Sequence, residues 1–153
     1  MLIVFDLDFT LWDCGGVWCD FTNPPYRRYN GYVVDSANRT IILYPEVIEL
    51  LSFLHSKNIF VALASRTSEP SWANNLLHLF GINHYFKYKE IYPSSKTVHF
   101  RRLQKQTGIN FNNMYFFDDE YRNIEEVSML GVNCLHVKDG ISRNTVLNFI
   151  QYS

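Results

Sequence analysis

Met1-Leu-Ile-Val-Phe-Asp6-Leu-Asp8-Phe-Thr10-Leu-Trp12 opens the chain with an apolar run that ends in two carboxylates one residue apart. A run of this length bounded by polar residues reads as a strand over residues 2–6, buried on both faces as in a parallel sheet. Side chains alternate along a strand, so Asp6 and Asp8 leave on the same side where the strand runs out. Two acids then share one small space. An acid nucleophile beside an acid proton donor is a chemical use for so costly an arrangement.

Outward from this stretch, apolar strands alternate with helical patterns. Val47, Leu50, Leu51 and Leu54 fall at i, i+3, i+4 and i+7 behind Pro45, predicting a helix. Residues 59–64 read as a buried strand, and a helix with Trp72, Leu76, Leu79 and Phe80 on one face ends at Gly81. A strand over about 85–92 precedes a helix capped by Ser94 or Ser95, with Phe100, Leu103 and Thr107 as its apolar face. Met114 to Phe117 is a short strand, followed by a helix bearing Ile124 and Val127. Val132 to Val137 is the last strand, and Ser142 caps a final helix. This order predicts an α/β domain, a doubly wound parallel sheet of Rossmann-like form with helices on both faces. Ligands in such sheets gather beyond the carboxyl ends of the strands, where Asp6, Asp8, Ser65, Asp118 and Asp119 all fall.

Between Trp12 and Tyr44 the pattern breaks. Gly15-Gly16, Asn23-Pro24-Pro25 and Asn30-Gly31 are turn signals, and residues 32–34 and 40–43 are expected to pair as a small hairpin. The segment from about 13 to 44 reads as a flap bordering the site, because a connection this long in a compact domain usually has a function.

The 153 residues fit one domain, residues 1–153. A formal charge of −1, from 14 basic and 15 acidic residues, offers no global field for nucleic acid or anionic lipid. No apolar run approaches the roughly 20 residues of a spanning helix, and the acids within the first apolar stretch argue against a signal sequence. The three cysteines, Cys14, Cys19 and Cys134, form no Cys-x-x-Cys pair, so neither a disulfide framework nor a zinc knuckle is expected. A reducing compartment, cytosolic or nuclear, follows as the expectation.

Bringing Asp6, Asp8, Asp118 and Asp119 together, with Glu120 near, is electrostatically expensive: at about 4 Å and an effective dielectric of about 20, each like-charge pair repels by about 4 kcal/mol. A cation must sit there. Oxygen ligands without clustered His or Cys suit a hard ion, and Mg2+ that keeps waters while bridging to phosphate is the natural candidate. Each piece also has a plainer reading: acids terminate strands, Asp118-Asp119-Glu120 suits a helix dipole, and Ser65-Arg66-Thr67 caps the next helix. Lys96 does not fit that reading, because a lysine in the first helical turn opposes the dipole.

The joint order Asp-x-Asp-x-Thr, Ser, Lys, Asp-Asp resembles the phosphatases of the haloacid dehalogenase-like superfamily. Asp6-Leu-Asp-Phe-Thr-Leu-Trp12, Leu43-Tyr-Pro-Glu-Val47, Ala64-Ser-Arg-Thr-Ser-Glu69, Glu90-Ile-Tyr-Pro-Ser-Ser-Lys96 and Phe116-Phe-Asp-Asp-Glu-Tyr-Arg-Asn-Ile124 are similar to its magnesium-dependent phosphatase family. The resemblance implies that Asp6 is the nucleophile and forms an aspartyl phosphate, with Asp8 as acid and base. It implies Asp6, the Asp8 carbonyl and Asp118 as magnesium ligands, with Asp119 acting directly or through water. Ser65, Arg66 and Lys96 are implied to bind phosphate or substrate, and Thr10 and Asn123 to support the ligands. The expected activity is magnesium-dependent phosphomonoester hydrolysis on phosphotyrosine in a protein, an aryl phosphate, or a phosphorylated sugar or sugar-amine adduct.

Other phosphate chemistries lack their motifs. The sixth residue after each cysteine is Asp20, Pro25 or Gly140, never the arginine of a cysteine phosphatase, and no Gly-x4-Gly-Lys-Ser/Thr loop occurs. A receiver-like switch uses similar residues around magnesium but has no use for Asp8, and a silent phosphate-binding module has no use for a complete catalytic set. The linkers after Thr10 and Ser65 are too short for a cap domain, so an open site is expected.

Overall fold

The computed structural model describes residues 1–151; the last two positions of the expected domain lie outside the described residues. In chain order the elements are β1 (Leu2–Phe5), β2 (Trp12–Asp13), β3 (Arg27–Tyr29), β4 (Tyr32–Val34), β5 (Thr40–Leu43), α1 (Val47–Ser56), β6 (Phe60–Ser65), α2 (Pro70–Leu79), β7 (Phe86–Ile91), α3 (Lys96–Thr107), β8 (Met114–Asp118), α4 (Tyr121–Ser128), β9 (Asn133–His136) and α5 (Arg143–Phe149). The main sheet is parallel, in the order β7-β6-β1-β8-β9. β1 lies at its centre, with Phe5 opposite Leu63 on one side and Phe117 on the other.

Full burial of Leu2–Phe5 follows from that central place, since each strand face needs an apolar cover. Ile3 and Phe5 pack with Leu50 and Leu54 of α1, Leu76 and Leu77 of α2, and Val146 of α5. Leu2 and Val4 pack on the other face with Phe100 and Leu103 of α3 and Val127 of α4. The doubly wound expectation thus holds, and among the described residues no helix is long and apolar enough to cross a membrane.

The flap is more regular than the expected hairpin: β2-β5-β4-β3 form an antiparallel sheet. Asp35 ties its β4–β5 turn, its Oδ1 accepting from the N–H groups of Ala37 and Arg39 at 3.0 and 2.7 Å. Val33, Ile41, Cys14 and Cys19 share the core that covers Ile3 and Phe5. Tyr44 closes the flap against Gly140, whose φ of +82° suits glycine and where a Cβ would meet the Tyr44 ring at 2.2 Å.

Two helix faces differ from expectation. The buried stripe of α2 is Ala73, Leu76 and Leu77, leaving Trp72, Leu79 and Phe80 half-buried. In α3 it is Lys96, His99, Phe100 and Leu103, an i, i+3, i+4, i+7 set that hydropathy conceals because two members are polar, while Thr107 lies at its margin.

Candidate active site

Parallel pairing puts the ends of β1, β6 and β8 side by side, and the residues at or just beyond those ends surround one cavity. It has a volume of about 360 Å³, and its walls include Asp6, Asp8, Ser65, Lys96 and Asp119. Asp6 follows β1 directly, its N–H still bonded to the Phe117 carbonyl at 3.0 Å. Ser65 and Asp118 are the last residues of β6 and β8. Lys96 is the first residue of α3, behind the Ser95 cap.

Lys96 is 1% exposed and reaches back beneath the strand ends. Its Nζ lies 2.9 Å from Asp6 Oδ1 and 3.1 Å from Asp118 Oδ2, and it also donates to the Ala64 carbonyl. Thr10 Oγ1 donates to Asp6 Oδ2 at 3.3 Å, so both nucleophile-candidate oxygens are held. Asp118 is held on both sides as well: Oδ1 accepts from the Glu120 N–H at 2.8 Å, and Oδ2 from Asn123 Nδ2 at 3.0 Å. Asn123 Oδ1 in turn accepts from Arg66 at 3.1 Å, which steadies that guanidinium at the cavity wall.

Three carboxylates converge, not four. Asp6, Asp118 and Asp119 each offer an oxygen within 4.8 Å of the others. Asp119, expected to act on the metal directly or through water, is a member of this triad. The Asp8 carboxylate is drawn aside by the flap: its Oδ1 accepts from Trp12 Nε1 at 2.9 Å, the Cys19 N–H at 2.9 Å and Cys14 Sγ at 3.5 Å. Sequence alternation placed it on the right side of the chain but had no means of placing these donors.

Electrostatics express the same arrangement. Burial raises Asp6 to about 7 against the pull of Lys96, with the charges of Asp119 and Asp8 adding to the rise. Burial likewise raises Asp118 and Asp119, each to about 6, with charge repulsion from Asp6 and Asp118 respectively. Asp8 is also raised, by burial, and its hydrogen bonds to Trp12, Cys19 and Cys14 oppose the shift. Burial alone would lower Lys96; the carboxylates of Asp6 and Asp118 outweigh it and raise the amine.

One ammonium thus pairs with two of three clustered acids, and a donor set made only of oxygens fits a hard divalent cation better than a soft one. A pH effect follows. These carboxylates are protonated more readily in the folded than in the unfolded chain, so their contribution is present at low pH and lost as pH rises through about 6 to 7. His99, lowered by burial to about 4, works the other way, but only below its unfolded value of about 6.5. Between pH 6.5 and 8 the metal-free protein is therefore expected to lose stability, and the rise in melting temperature on adding magnesium to grow. Thermal melts with chelator or excess magnesium at each pH check this; a magnesium shift independent of pH counts against the triad as the metal site.

Several cavity residues were not singled out from the sequence. Asp20 comes from the flap, Arg122 from α4 and Ser94 from the turn before α3. Asp20 Oδ2 accepts from Ser68 Oγ at 2.9 Å and Cys19 Sγ lies 3.4 Å from Thr67 Oγ1, which joins the flap to the loop after Ser65. No local pattern announces such pairs, since each joins residues 48 positions apart.

Comparison with known proteins finds relatives over most of the chain. The Acid Phosphatase family model matches residues 1–152. Human "Magnesium-dependent phosphatase 1" is 50% identical over 147 residues, covering 95% of this chain and 82% of that one. A Schizosaccharomyces pombe "HAD-like hydrolase superfamily protein" is 33% identical over 164 residues, covering 97% and 91%. Among solved structures, a putative phosphatase from Clostridium difficile aligns with a TM-score of 0.70 at 16% identity, over 92% of this chain and 86% of that one. A HAD family enzyme from Bacteroides thetaiotaomicron, solved with magnesium and inorganic phosphate, aligns at 0.68 and 16% identity over 95% and 98%. At such identities the structural matches speak to the fold.

Proposed function

The chain belongs to the magnesium-dependent phosphatases of the haloacid dehalogenase-like superfamily, and from that membership we propose that it hydrolyses phosphomonoesters through an aspartyl phosphate formed on Asp6. The observation that carries the assignment is Asp6 itself, held by Lys96 and Thr10 at the edge of the oxygen triad and facing the cavity.

A carboxylate oxygen of Asp6 attacks phosphorus while the bond from phosphorus to the leaving oxygen breaks, and Asp8 gives its proton to that oxygen. Asp8 then takes a proton from water as the water oxygen attacks the same phosphorus. The bond to Asp6 breaks, inorganic phosphate leaves, and both side chains return to their starting state. Ser65, buried at the end of β6, and Arg66 donate to phosphoryl oxygens, and Lys96 offsets charge on nucleophile and phosphoryl group together. Asp6, Asp118 and Asp119, with the Asp8 carbonyl, would hold magnesium, which would supply positive charge to the reacting phosphoryl group. An acid placed beside the nucleophile favours turnover over a long-lived phosphorylated switch.

For substrate we assign aryl phosphates, including phosphotyrosine in a peptide. Trp18, 43% exposed on the cavity wall, offers a flat apolar face to an aromatic leaving group. The polar side chains of Asp20, Glu120 and Arg122 on the same walls favour a second reading, a phosphorylated sugar or sugar-amine adduct. Phosphotyrosyl peptides are expected to show the higher kcat/KM in a panel set against sugar phosphates. If every sugar phosphate outperforms them, the aryl assignment is wrong and the sugar reading stands.

A further inference from the structure

The turn after Asp6 folds the chain back on itself. The Leu7 carbonyl accepts from the N–H groups of Thr10, Leu11 and Trp12 at 3.0, 2.8 and 3.3 Å. Phe9 takes a left-handed φ of 61°, and its N–H donates to the Trp12 carbonyl at 2.7 Å. This reversal returns the indole to Asp8, where Nε1 donates to Oδ1. The flap brings the Cys19 N–H and Cys14 Sγ to the same oxygen. None of the three reaches Oδ2.

We infer that Trp12, together with the Cys19 N–H, is a positioning device that chooses which oxygen of Asp8 carries the proton. An oxygen that already faces three donors has no direction left for a hydrogen of its own without setting donor against donor, so Oδ1 stays the acceptor and the transferable proton resides on Oδ2. Asp8 lines the cavity, so Oδ2 is the oxygen left to serve it. Trp12 is fully buried, packs on Phe80 with ring centroids 6.1 Å apart, and is absent from the cavity wall; it acts through Asp8 and touches no substrate. The flap thereby has a part in the chemistry: its fold supplies two of the three donors that orient the acid. The inference rests on the acid/base role proposed for Asp8.

The test reads dependence on the leaving group. Phenyl phosphate departs as a more basic oxygen than p-nitrophenyl phosphate and needs the proton more. Three replacements are compared by kcat/KM on both esters with magnesium: Asp8→Asn, Trp12→Phe, and Trp12 replaced by β-(3-benzothienyl)alanine, which keeps the indole shape without the N–H. Melting temperature is measured for each, and the benzothienyl protein carries the comparison if the phenylalanine variant melts below the assay temperature. Loss of one hydrogen bond to a charged group is expected to widen the preference for the p-nitrophenyl ester by about tenfold or more in the Trp12 proteins, in the same direction as Asp8→Asn. If Asp8→Asn widens the preference and the Trp12 proteins lose equally on both esters or lose nothing, the positioning role is overturned while the role of Asp8 stands. If Asp8→Asn itself leaves the preference unchanged, the acid/base reading falls and the inference with it.

Discussion

Asp6→Asn is expected to lower kcat by about 10⁴-fold or more, because an amide oxygen does not displace the leaving group and no other side chain can replace the nucleophile. The loss is to be separate from any loss of fold. Asp6 is one of two acids paired with a single ammonium, and removing its charge relieves repulsion on Asp118 while weakening the hold on Lys96. The melting temperature in chelator is therefore expected to change little at pH 8. A second readout tests the covalent step. Acid quenching of the wild-type protein during turnover of labelled substrate traps phosphoprotein, Asp8→Asn accumulates it when the leaving group is p-nitrophenolate, and Asp6→Asn shows none. Labelled Asp6→Asn protein, or near-normal turnover, places the nucleophile elsewhere.

Lys96→Met is expected to damage activity and stability together. The ammonium is fully enclosed and holds two acids at 2.9 and 3.1 Å, so its removal leaves buried carboxylates without their partner. Breaking such a pair from one side costs about 3–5 kcal/mol. The carboxylates escape part of this by protonation, so the loss in chelator is expected to be larger at pH 8 than at pH 5, and magnesium at pH 8 is expected to restore part of it. Turnover is not restored, because magnesium does not replace the donor placed behind the phosphoryl group and the Asp6 oxygen. Lys96→Arg offers no rescue, since a planar guanidinium does not fit the slot between Ala64, Asp6 and Asp118. Melting curves at the two pH values, with chelator and with magnesium, decide the stability half. A Lys96→Met protein as stable as wild type in chelator at pH 8 means that the ammonium is not what makes the acid cluster tolerable.

Much of this was legible in the order of residues. Strands and helices announced themselves because their periods differ and because a central parallel strand must be apolar throughout, as Leu2–Phe5 is. Helix faces were less legible where burial falls on residues that are not apolar. Lys96 and His99 belong to the buried stripe of α3, yet no hydropathy scale would put them there; Lys96 is inside because two carboxylates wait for it. The flap showed turn signals and the hairpin that forms as β4 and β5, but hid β2 and β3, since strands of two or three residues carry too little alternation to be read.

By itself the sequence determined that one parallel sheet would gather Asp6, Asp8, Ser65, Asp118 and Asp119 at the ends of its strands, because alternation and strand order are properties of the chain. Only the tertiary structure decided how those acids divide. Asp119 joined Asp6 and Asp118 in the oxygen triad, and Asp8 turned to the indole of Trp12 and the N–H of Cys19. The reason is physical: a side chain at a strand end turns toward whatever donors and charges surround it, and those arrive from far along the chain. Lys96 meets Asp6 across 90 residues, and Cys19 meets Asp8 across 11 by way of an irregular flap. Local periodicity carries no record of such meetings.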